Sequence, residues 1–245
     1  MFRTVADLAR QTVGLIYPPA CLVCGEVGDG REPFRHGLCI PCWHDVTVDP
    51  SETCPRCTQT VGAHTDTADG CTECRAQSLG FEQAVRLGPY DGRLRDAVLR
   101  MKNIAGEGLA DLLGRSFAEC RGDVLRAMGV DVVVPIPLHW WRKLRRGYNQ
   151  SESVARQLAF GLGTVFEPRT LRRTRHTTQH AQSSRAARQQ NLKGAFQVAR
   201  GARVSRRTVL LVDDVMTTCS TASEAAKTLL AAGAEKVVVA VLARR

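Results

Sequence analysis

The 245-residue sequence contains no apolar run that approaches the roughly 20 residues a helix needs to cross a bilayer. This absence argues against a membrane-spanning protein. Residues 1–20 also lack the compact apolar core of a signal peptide, because Arg3, Asp7 and Arg10 interrupt it, so we expect none there. We therefore expect a cytoplasmic protein, whose ten cysteines remain thiols in a reducing compartment and are free to bind metal.

Acidic residues are nearly absent from the segment 142–207, which contains sixteen Lys or Arg but only two acids, Glu152 and Glu167. The formal net charge of the chain is +10. Such a field attracts polyanions, and both phosphorylated metabolites and nucleic acid fit it. A solvated basic surface is the plainer explanation for part of this charge.

An apolar stripe at helical spacing precedes the Tyr-Pro-Pro sequence that begins at Tyr17, and its members are Phe2, Val5, Ala9, Val13 and Ile16. The stripe predicts a short amphipathic helix over residues 1–18. We expect it to dock on the rest of the protein. Attachment to a membrane surface is the alternative, which few basic residues support.

The next segment, residues 19–78, has little apolar periodicity and needs something other than a core to fold. Eight cysteines form four Cys-x-x-Cys pairs in it: Cys21/Cys24, Cys39/Cys42, Cys54/Cys57 and Cys71/Cys74. Two such pairs supply the four thiolates of a structural zinc ion, so the spacing predicts a double zinc ribbon with two zinc ions. Zinc binding would provide the missing folding free energy.

The alternative for these cysteines is a redox dithiol, which needs one pair and not four. Sequence does not decide which pairs share an ion, because an interleaved arrangement uses the same spacing. His36, His44 and His64 lie nearby, and we expect them at the surface or around the ligands. A site closed by four thiolates has no open coordination position and should not be catalytic.

Apolar strands and helices alternate in residues 79–245. The patterns predict strands at Ala84–Leu87, Val130–Pro135, Thr208–Asp214 and Lys236–Leu242, and helices at Leu94–Met101, Leu109–Met128, Gln150–Gly161 and Ser220–Ala232. The polar stretch Arg172–Gly194 reads as a loop or hood. This order predicts an α/β domain with a parallel sheet and flanking helices.

The stretch Thr208–Thr221 reads TVLLVDDVMTTCST and carries the most chemical information. Asp213 and Asp214 fall at the carboxyl end of a strand, where open α/β sheets bind ligands, and they can accept hydrogen bonds from ribose hydroxyls. A helix N-terminus follows and favours a phosphate, to which hydroxyls add donors: Thr217, Thr218, Ser220 and Thr221. An ordinary capped helix explains the hydroxyls but not the paired acids.

This stretch resembles the phosphoribosyl diphosphate motif of type I phosphoribosyltransferases, in which two acids precede a threonine-rich loop. Those proteins usually have Gly where this chain has Cys219, because the backbone there approaches phosphate closely or takes a positive φ. A Cβ at this position is expected to carry a conformational cost.

Further upstream, Val134–Leu138 leads into HWWRKLRRGYNQ at His139–Gln150. With the cysteine pairs, this segment is similar to the ComF family, named for DNA uptake in competent bacteria. Several residues also match the hood of that family: Arg175, Thr177, Gln179, Arg188, Asn191, Gly194 and Phe196. The resemblance extends from Cys21 to Leu242 and implies a phosphoribosyltransferase-like fold.

By that resemblance, the loop Pro137–Gly147 meets the donor diphosphate. The implied catalytic residues are Asp213, Asp214, Arg142 and Arg146. The implied ligand-binding residues are Asp213, Asp214, Pro137, Leu138, His139, Arg145, Lys102, Thr217, Thr218, Cys219, Ser220 and Thr221. Arginine suits diphosphate because its planar fork binds phosphate oxygens in pairs.

One of these assignments, and two nearby pairs of residues, have a structural alternative. Lys102 matches a lysine of the family and equally fits an exposed helix end. Trp140 and Trp141 suit stacking on a base or packing against the hood. Asn149 and Gln150 are expected to pin the loop.

Three functions remain open on these grounds. The first is an enzyme that binds phosphoribosyl diphosphate with Mg²⁺ and transfers phosphoribose to a nitrogen base. The second is a non-catalytic factor that binds a phosphosugar or single-stranded DNA, with the competence machinery as partner. The third, a ribbon adaptor for other proteins, leaves the Asp-Asp-threonine loop unexplained.

Overall fold

The computed structural model describes residues 20–28, 34–175 and 190–245, and for Arg142 the backbone alone. The helix predicted for residues 1–18 and the hood positions Thr177, Gln179 and Arg188 lie outside the described residues.

A parallel sheet of five strands forms the centre of the fold, in the order β1-β7-β6-β2-β3. Its strands are β1 (Ala84–Pro89), β2 (Val132–Pro135), β3 (Val165–Phe166), β6 (Thr208–Met216) and β7 (Lys236–Arg244). The middle strands are runs of Val, Leu and Ala that are buried on both faces, as a sheet covered by helices requires. A separate antiparallel pair joins β4 (Leu171–Arg173) to β5 (Phe196–Val198).

Helices cover both faces of this sheet. The described helices are α1 (Ile40–Thr47), α2 (Thr72–Arg75), α3 (Gly92–Arg100), α4 (Glu107–Ala127), α5 (Trp140–Arg146), α6 (Gln150–Leu162) and α7 (Ser220–Ala231), with a 3₁₀ turn at Ile104–Gly106. Apolar residues of α3, α4 and α6 share one core with the sheet, and those of α7 share the core on the opposite face. Asn149 begins α6 by accepting a hydrogen bond from the Ser151 amide.

The predicted parallel α/β domain is confirmed, including the four strands and four helices read from the apolar patterns. The expectation of a basic loop over Pro137–Gly147 is wrong in part, because α5 occupies most of it. His139 caps the start of this helix, and Gly147 ends it with a φ of 84°. Similarly, the polar stretch predicted as a loop from Arg172 begins inside β4.

The cysteine-rich segment is divided between the two faces of the sheet. Its first half, with α1, packs into the core that contains α3, α4 and α6. Its second half, with α2, packs into the core that contains α7. The ribbon therefore shares both cores of the larger domain, and the boundary near residue 79 stays a prediction.

Among the helices of the described ranges, none combines the length and the apolarity needed to cross a bilayer.

The close approach of α4 to α6 depends on Gly114. A Cβ added there would lie 2.8 Å from the Gln157 Cβ and 3.0 Å from the Val154 carbonyl oxygen. We expect Gly114→Ala to lower the free energy of unfolding by about 2 kcal/mol in urea titrations. Gly108→Ala is the matched control, since that site in α4 has no atom within 4 Å and alanine should stabilise it by roughly 0.5 kcal/mol. Equal effects of the two substitutions would contradict the close packing.

Candidate functional site

The site is organised around two adjacent carboxyl groups near the carboxyl end of β6. Asp214 is buried, and Asp213 is partly exposed. Asp214 Oδ1 accepts a hydrogen bond from the Val215 amide at 2.7 Å. Asp213 Oδ1 accepts bonds from Ser151 Oγ at 3.0 Å and from the Asp214 amide at 2.9 Å. Among the described residues, Asp213 Oδ2 has no hydrogen-bond partner, so this oxygen is open to a ligand.

Lys102 provides the cation of the site. Its Nζ lies 3.1 Å from Asp214 Oδ2, and its side chain is 29% exposed. The residue follows α3, and the Tyr148 hydroxyl donates to the carbonyl of the preceding Met101. Lys102 thus forms an ion pair with the acidic cluster at the end of α3, and its role toward a ligand stays a prediction.

A chain of hydrogen bonds joins the basic helix α5 to the acids. Arg146 Nη1 donates to Gln150 Oε1 at 2.6 Å, and Gln150 Nε2 donates to Asp214 Oδ2 at 2.9 Å. Asn149 Nδ2 donates to the Ile136 carbonyl at 3.1 Å. Asn149 therefore pins the loop as expected, whereas Gln150 reaches into the site itself.

The two carboxyl groups ionise in different ranges. Burial and the neighbouring Asp214 carboxylate raise the pKa of Asp213 to about 7. Burial also acts against ionisation of Asp214, but the Lys102 ammonium and the Gln150 hydrogen bond outweigh it and lower the pKa of Asp214 below its ordinary value. Near neutral pH Asp214 is therefore ionised, whereas Asp213 titrates in this range.

A short loop follows the acids and opens α7. We call Thr217–Thr221 the phosphate loop, after the ligand that its sequence predicts. The first amides of an α-helix have no acceptor within the helix, and Cys219 caps α7 without any side-chain hydrogen bond to it. Thr218 Oγ1 and Ser220 Oγ lie 3.0 Å apart, and Thr217 is exposed. Backbone amides, hydroxyls and the positive end of the helix dipole thus lie together at the start of α7.

Cys219 has the positive backbone angle that glycine would favour, with a φ of 60°. Its thiol is buried and points away from solvent, toward the cysteine-rich segment. A hydrogen bond to Cys57 and burial together raise the pKa of the Cys219 thiol. The predicted conformational constraint at this position is therefore present, and a left-handed residue with a Cβ costs roughly 1–2 kcal/mol.

The remaining candidates are spread along the segment before α6. Pro137 and Leu138 are partly buried, and His139 is buried with its Nδ1 accepting from the Trp141 amide at 3.4 Å. Arg145 is exposed and has no described contact with the acids. The side chain of Arg142 lies outside the described part of the structure.

Two residues near the acids were not predicted from the sequence. Ser151 follows the Gly-Tyr-Asn-Gln sequence directly, but a serine in the first turn of a helix carries no functional signal. Arg244 ends an apolar strand, yet its guanidinium is buried and donates to the carbonyl oxygens of Met216 and Thr217. A charged residue in that position reads as an ordinary exposed strand end.

The eight paired cysteines form two compact groups of four. The first contains Cys21, Cys24, Cys39 and Cys42, and the second contains Cys54, Cys57, Cys71 and Cys74. Within each group the sulfur atoms lie within 4.8 Å of one another. Each group thus combines two Cys-x-x-Cys pairs that follow one another in the sequence, so the pairs are not interleaved. None of the three nearby histidines belongs to either group, and His36 instead contacts Glu119 at 2.6 Å.

The spacing of the sulfur atoms fits zinc. Tetrahedral Zn²⁺ with bonds of about 2.3 Å places its sulfur ligands about 3.8 Å apart. The second group has separations of 3.6 Å between Cys57 and Cys71 and 3.8 Å between Cys54 and Cys74. In the first group, Cys24 and Cys39 are separated by 3.7 Å. Arg93 Nη1 lies 3.1 Å from Cys42 Sγ, where a cation offsets the excess negative charge of four thiolates. Both groups therefore suit a structural zinc ion.

Comparisons with known proteins agree with both parts of this structure. The double zinc ribbon domain matches residues 12–75, and the phosphoribosyl transferase domain matches residues 109–245. Competence protein F of Haemophilus influenzae is 31% identical over 218 residues, which cover 86% of this chain and 91% of that protein. DNA utilization protein YhgH is 34% identical in Salmonella typhi and 32% in Escherichia coli K12, each over 94% of this chain and 99% of the relative.

A solved structure, glutamine phosphoribosylpyrophosphate (PRPP) amidotransferase from B. subtilis, covers 59% of this chain and 30% of its own length. Its sequence identity is 23% and its TM-score is 0.40, which is too low to support an inference.

The raised pKa of Asp213 predicts a pH-dependent stability. An unfolded aspartate ionises near 3.8, so ionising Asp213 in the folded protein costs free energy that grows from pH 4 and is complete above pH 7. Asparagine cannot ionise, and its Oδ1 can keep the bonds from Ser151 and the Asp214 amide. We expect Asp213→Asn to gain roughly 2 kcal/mol in unfolding free energy, relative to wild type, between pH 5 and pH 8. Urea titrations of the zinc-loaded proteins at both pH values test this, and a difference that does not change with pH would refute it.

Proposed function

Since the chain belongs to the ComF family, we propose that it binds phosphoribosyl diphosphate in the cytosol, at the carboxyl end of β6. The observation that supports this most strongly is the order of groups along one short path. Carboxylates that suit ribose hydroxyls are followed by helix amides and hydroxyls that suit a phosphate. A ribose 5-phosphate offers both complementary features, hydroxyls on the ring and a phosphate dianion on C5.

Different groups of the protein would contact different parts of the ligand. The phosphate loop would hold the 5-phosphate, and Asp213 Oδ2 would accept from a ribose hydroxyl. The diphosphate would lie toward the segment that contains Arg142, Arg145 and Arg146, where guanidinium groups neutralise its charge. Gln150 links this segment to Asp214, so a ligand at the diphosphate end can influence the acid that holds the sugar.

Mg²⁺ fits this proposal as a companion of the ligand. The Asp214 carboxylate already accepts bonds from Lys102, Gln150 and the Val215 amide, so the acids form no cage for an ion. Magnesium keeps much of its hydration and binds phosphate oxygens readily, and it would neutralise the diphosphate from the ligand side.

The reaction that such a site supports is displacement at C1 of the ribose. A nitrogen of an acceptor base forms the new bond to C1, and the bond from C1 to the diphosphate oxygen breaks, with both electrons leaving on diphosphate. Positive charge develops on the ribose during this step. The protein would contribute orientation, stabilisation by the carboxylates and exclusion of water, and little covalent chemistry.

Isothermal titration with phosphoribosyl diphosphate and Mg²⁺ tests the binding. We expect Asp214→Asn to weaken binding about 10- to 100-fold, because it removes the charge that holds Lys102 and Gln150 in place. Asp131→Asn is the matched control, since Asp131 accepts a bond from the Thr208 amide at the opposite end of β6. Its affinity should equal that of wild type.

Zinc content and melting temperature would be measured on each variant to exclude misfolding. No binding by the folded wild-type protein would refute the proposed function. Wild-type affinity in Asp214→Asn would place the ligand elsewhere. A diphosphate-release assay against a panel of nitrogen bases then tests the transfer reaction.

A specific observation favours single-stranded DNA as a second ligand. Trp140 and Trp141 are 64% and 54% exposed, and their rings lie edge to face with centroids 5.4 Å apart. Lys143 and Arg145 are exposed on the same short helix. Exposed aromatic rings among cations form a platform on which bases stack while the charges meet the backbone.

Fluorescence anisotropy with a labelled oligothymidine tests this second function. Replacing Trp140 and Trp141 together by alanine should weaken binding at least about fivefold, and wild-type affinity should fall steeply as salt rises. Phe160→Ala is the control, because Phe160 is 87% exposed on α6 outside this helix. A flat salt dependence, or equal loss in both variants, would refute DNA binding by α5.

A further inference from the structure

The second cysteine group lies against the phosphate loop, whereas the first does not. All four of its cysteines share a core with Cys219 and with the first turns of α7. The first group packs on the other face of the sheet, against α3 and α4. No described contact joins a cysteine of the first group to the phosphate loop.

A buried arginine makes the first connection. Arg244 is 3% exposed, and its Nη1 donates to the carbonyl oxygens of Met216, at 3.1 Å, and of Thr217. Its Nη2 lies 3.4 Å from Glu73 Oε2. Glu73 stands between Cys71 and Cys74 in α2. One side chain thus holds the entrance of the phosphate loop and a residue between two zinc ligands.

The thiol of Cys219 makes the second connection. The thiol is buried in the same cluster as Cys57, a predicted ligand of the second zinc ion. Cys219 is also the residue whose left-handed backbone turns the loop into α7. Displacing Cys57 would therefore disturb the residue on which the shape of the loop depends.

The linker after the ribbon makes the third connection. The Gly80 amide donates to Ser223 Oγ at 2.9 Å, and a Cβ at Gly80 would lie only 2.5 Å from the Ser223 carbonyl oxygen. Ser223 lies in the first turn of α7, whose amides face the phosphate loop. The ribbon and its linker thus contact the loop at its entrance, its turn and its helix.

We propose that the second zinc ion is the support of the phosphate loop, so that zinc at this site and a phosphosugar in the loop stabilise one another. Arg244, Glu73 and Cys219 are the positioning residues that connect them. The first zinc ion has no such role. Coupling between two sites is reciprocal, so bound ligand must raise the zinc affinity of the second site by the factor by which zinc raises the ligand affinity.

The part of this proposal that concerns the loop can be tested without any ligand. Hydrogen exchange of the amides in residues 216–222 would be measured by mass spectrometry in the zinc-loaded protein. Glu73→Ala should speed their exchange about threefold or more, since it removes a partner of Arg244. Glu26→Ala is the matched control, because Glu26 lies beside the first cysteine group, with its Oε2 3.9 Å from Cys24 Sγ. It should leave these amides unchanged.

Zinc loss can be read separately for each site by pulsed alkylation of cysteines during challenge with a zinc-selective chelator. Cys219→Gly should speed alkylation of Cys54, Cys57, Cys71 and Cys74 and leave the first group unchanged. Addition of phosphoribosyl diphosphate with Mg²⁺ should slow alkylation of the second group alone. This measurement rests on the proposed function.

Unchanged loop exchange in Glu73→Ala, together with unchanged zinc loss in Cys219→Gly, would overturn the proposal. If the ligand does not bind, the proposed function fails, and the two ligand-free arms still decide whether zinc supports the loop. If the ligand binds but protects neither group, or both equally, the coupling is wrong and the proposed function stands.

Discussion

Two carboxyl groups lie side by side near the end of a buried strand, and in the described part of the structure the Lys102 ammonium group forms an ion pair with one of them, Asp214. Two adjacent carboxylates disfavour each other's ionisation. Asp214 takes Lys102 and Gln150 as partners, and Asp213 is left with a raised pKa and an open oxygen. The positive end of α7 follows within a few residues. Hydrogen-bond acceptors beside the positive end of a helix are the groups from which the proposed phosphosugar site is built.

The cysteine-rich segment has no apolar core of its own and packs into the two cores of the larger domain. Four thiolates at tetrahedral spacing can supply the folding free energy that apolar residues do not. Because each half of the ribbon packs on a different face of the sheet, the two sites have different neighbours. Cys219 stands where type I phosphoribosyltransferases usually have glycine, and it places the second cysteine group next to the phosphate loop. Its left-handed backbone carries a conformational cost, but its side chain is buried in the same cluster as Cys57.

Local patterns in the sequence were sufficient for much of this structure. Apolar runs such as Val237–Leu242 predict buried strands, and cysteine spacing predicts the two ligand groups. The acids Asp213 and Asp214 in β6 predict a ligand-binding edge, which stays a prediction. Helix α5 was missed because it is short and mostly basic and its large apolar side chains are exposed, and its bounds are set by His139 and Gly147. The contact of Arg244 with Glu73 joins distant parts of the chain, so no local pattern contains it. The grouping of the cysteines also depends on tertiary packing.

A crystal of the zinc-loaded protein soaked with phosphoribosyl diphosphate and Mg²⁺ would test the central assignment most directly. The 5-phosphate should lie about 3 Å from the backbone amides of the phosphate loop, with a ribose hydroxyl on Asp213. A phosphate bound elsewhere, or a loop closed by the Cys219 side chain, would contradict the assignment.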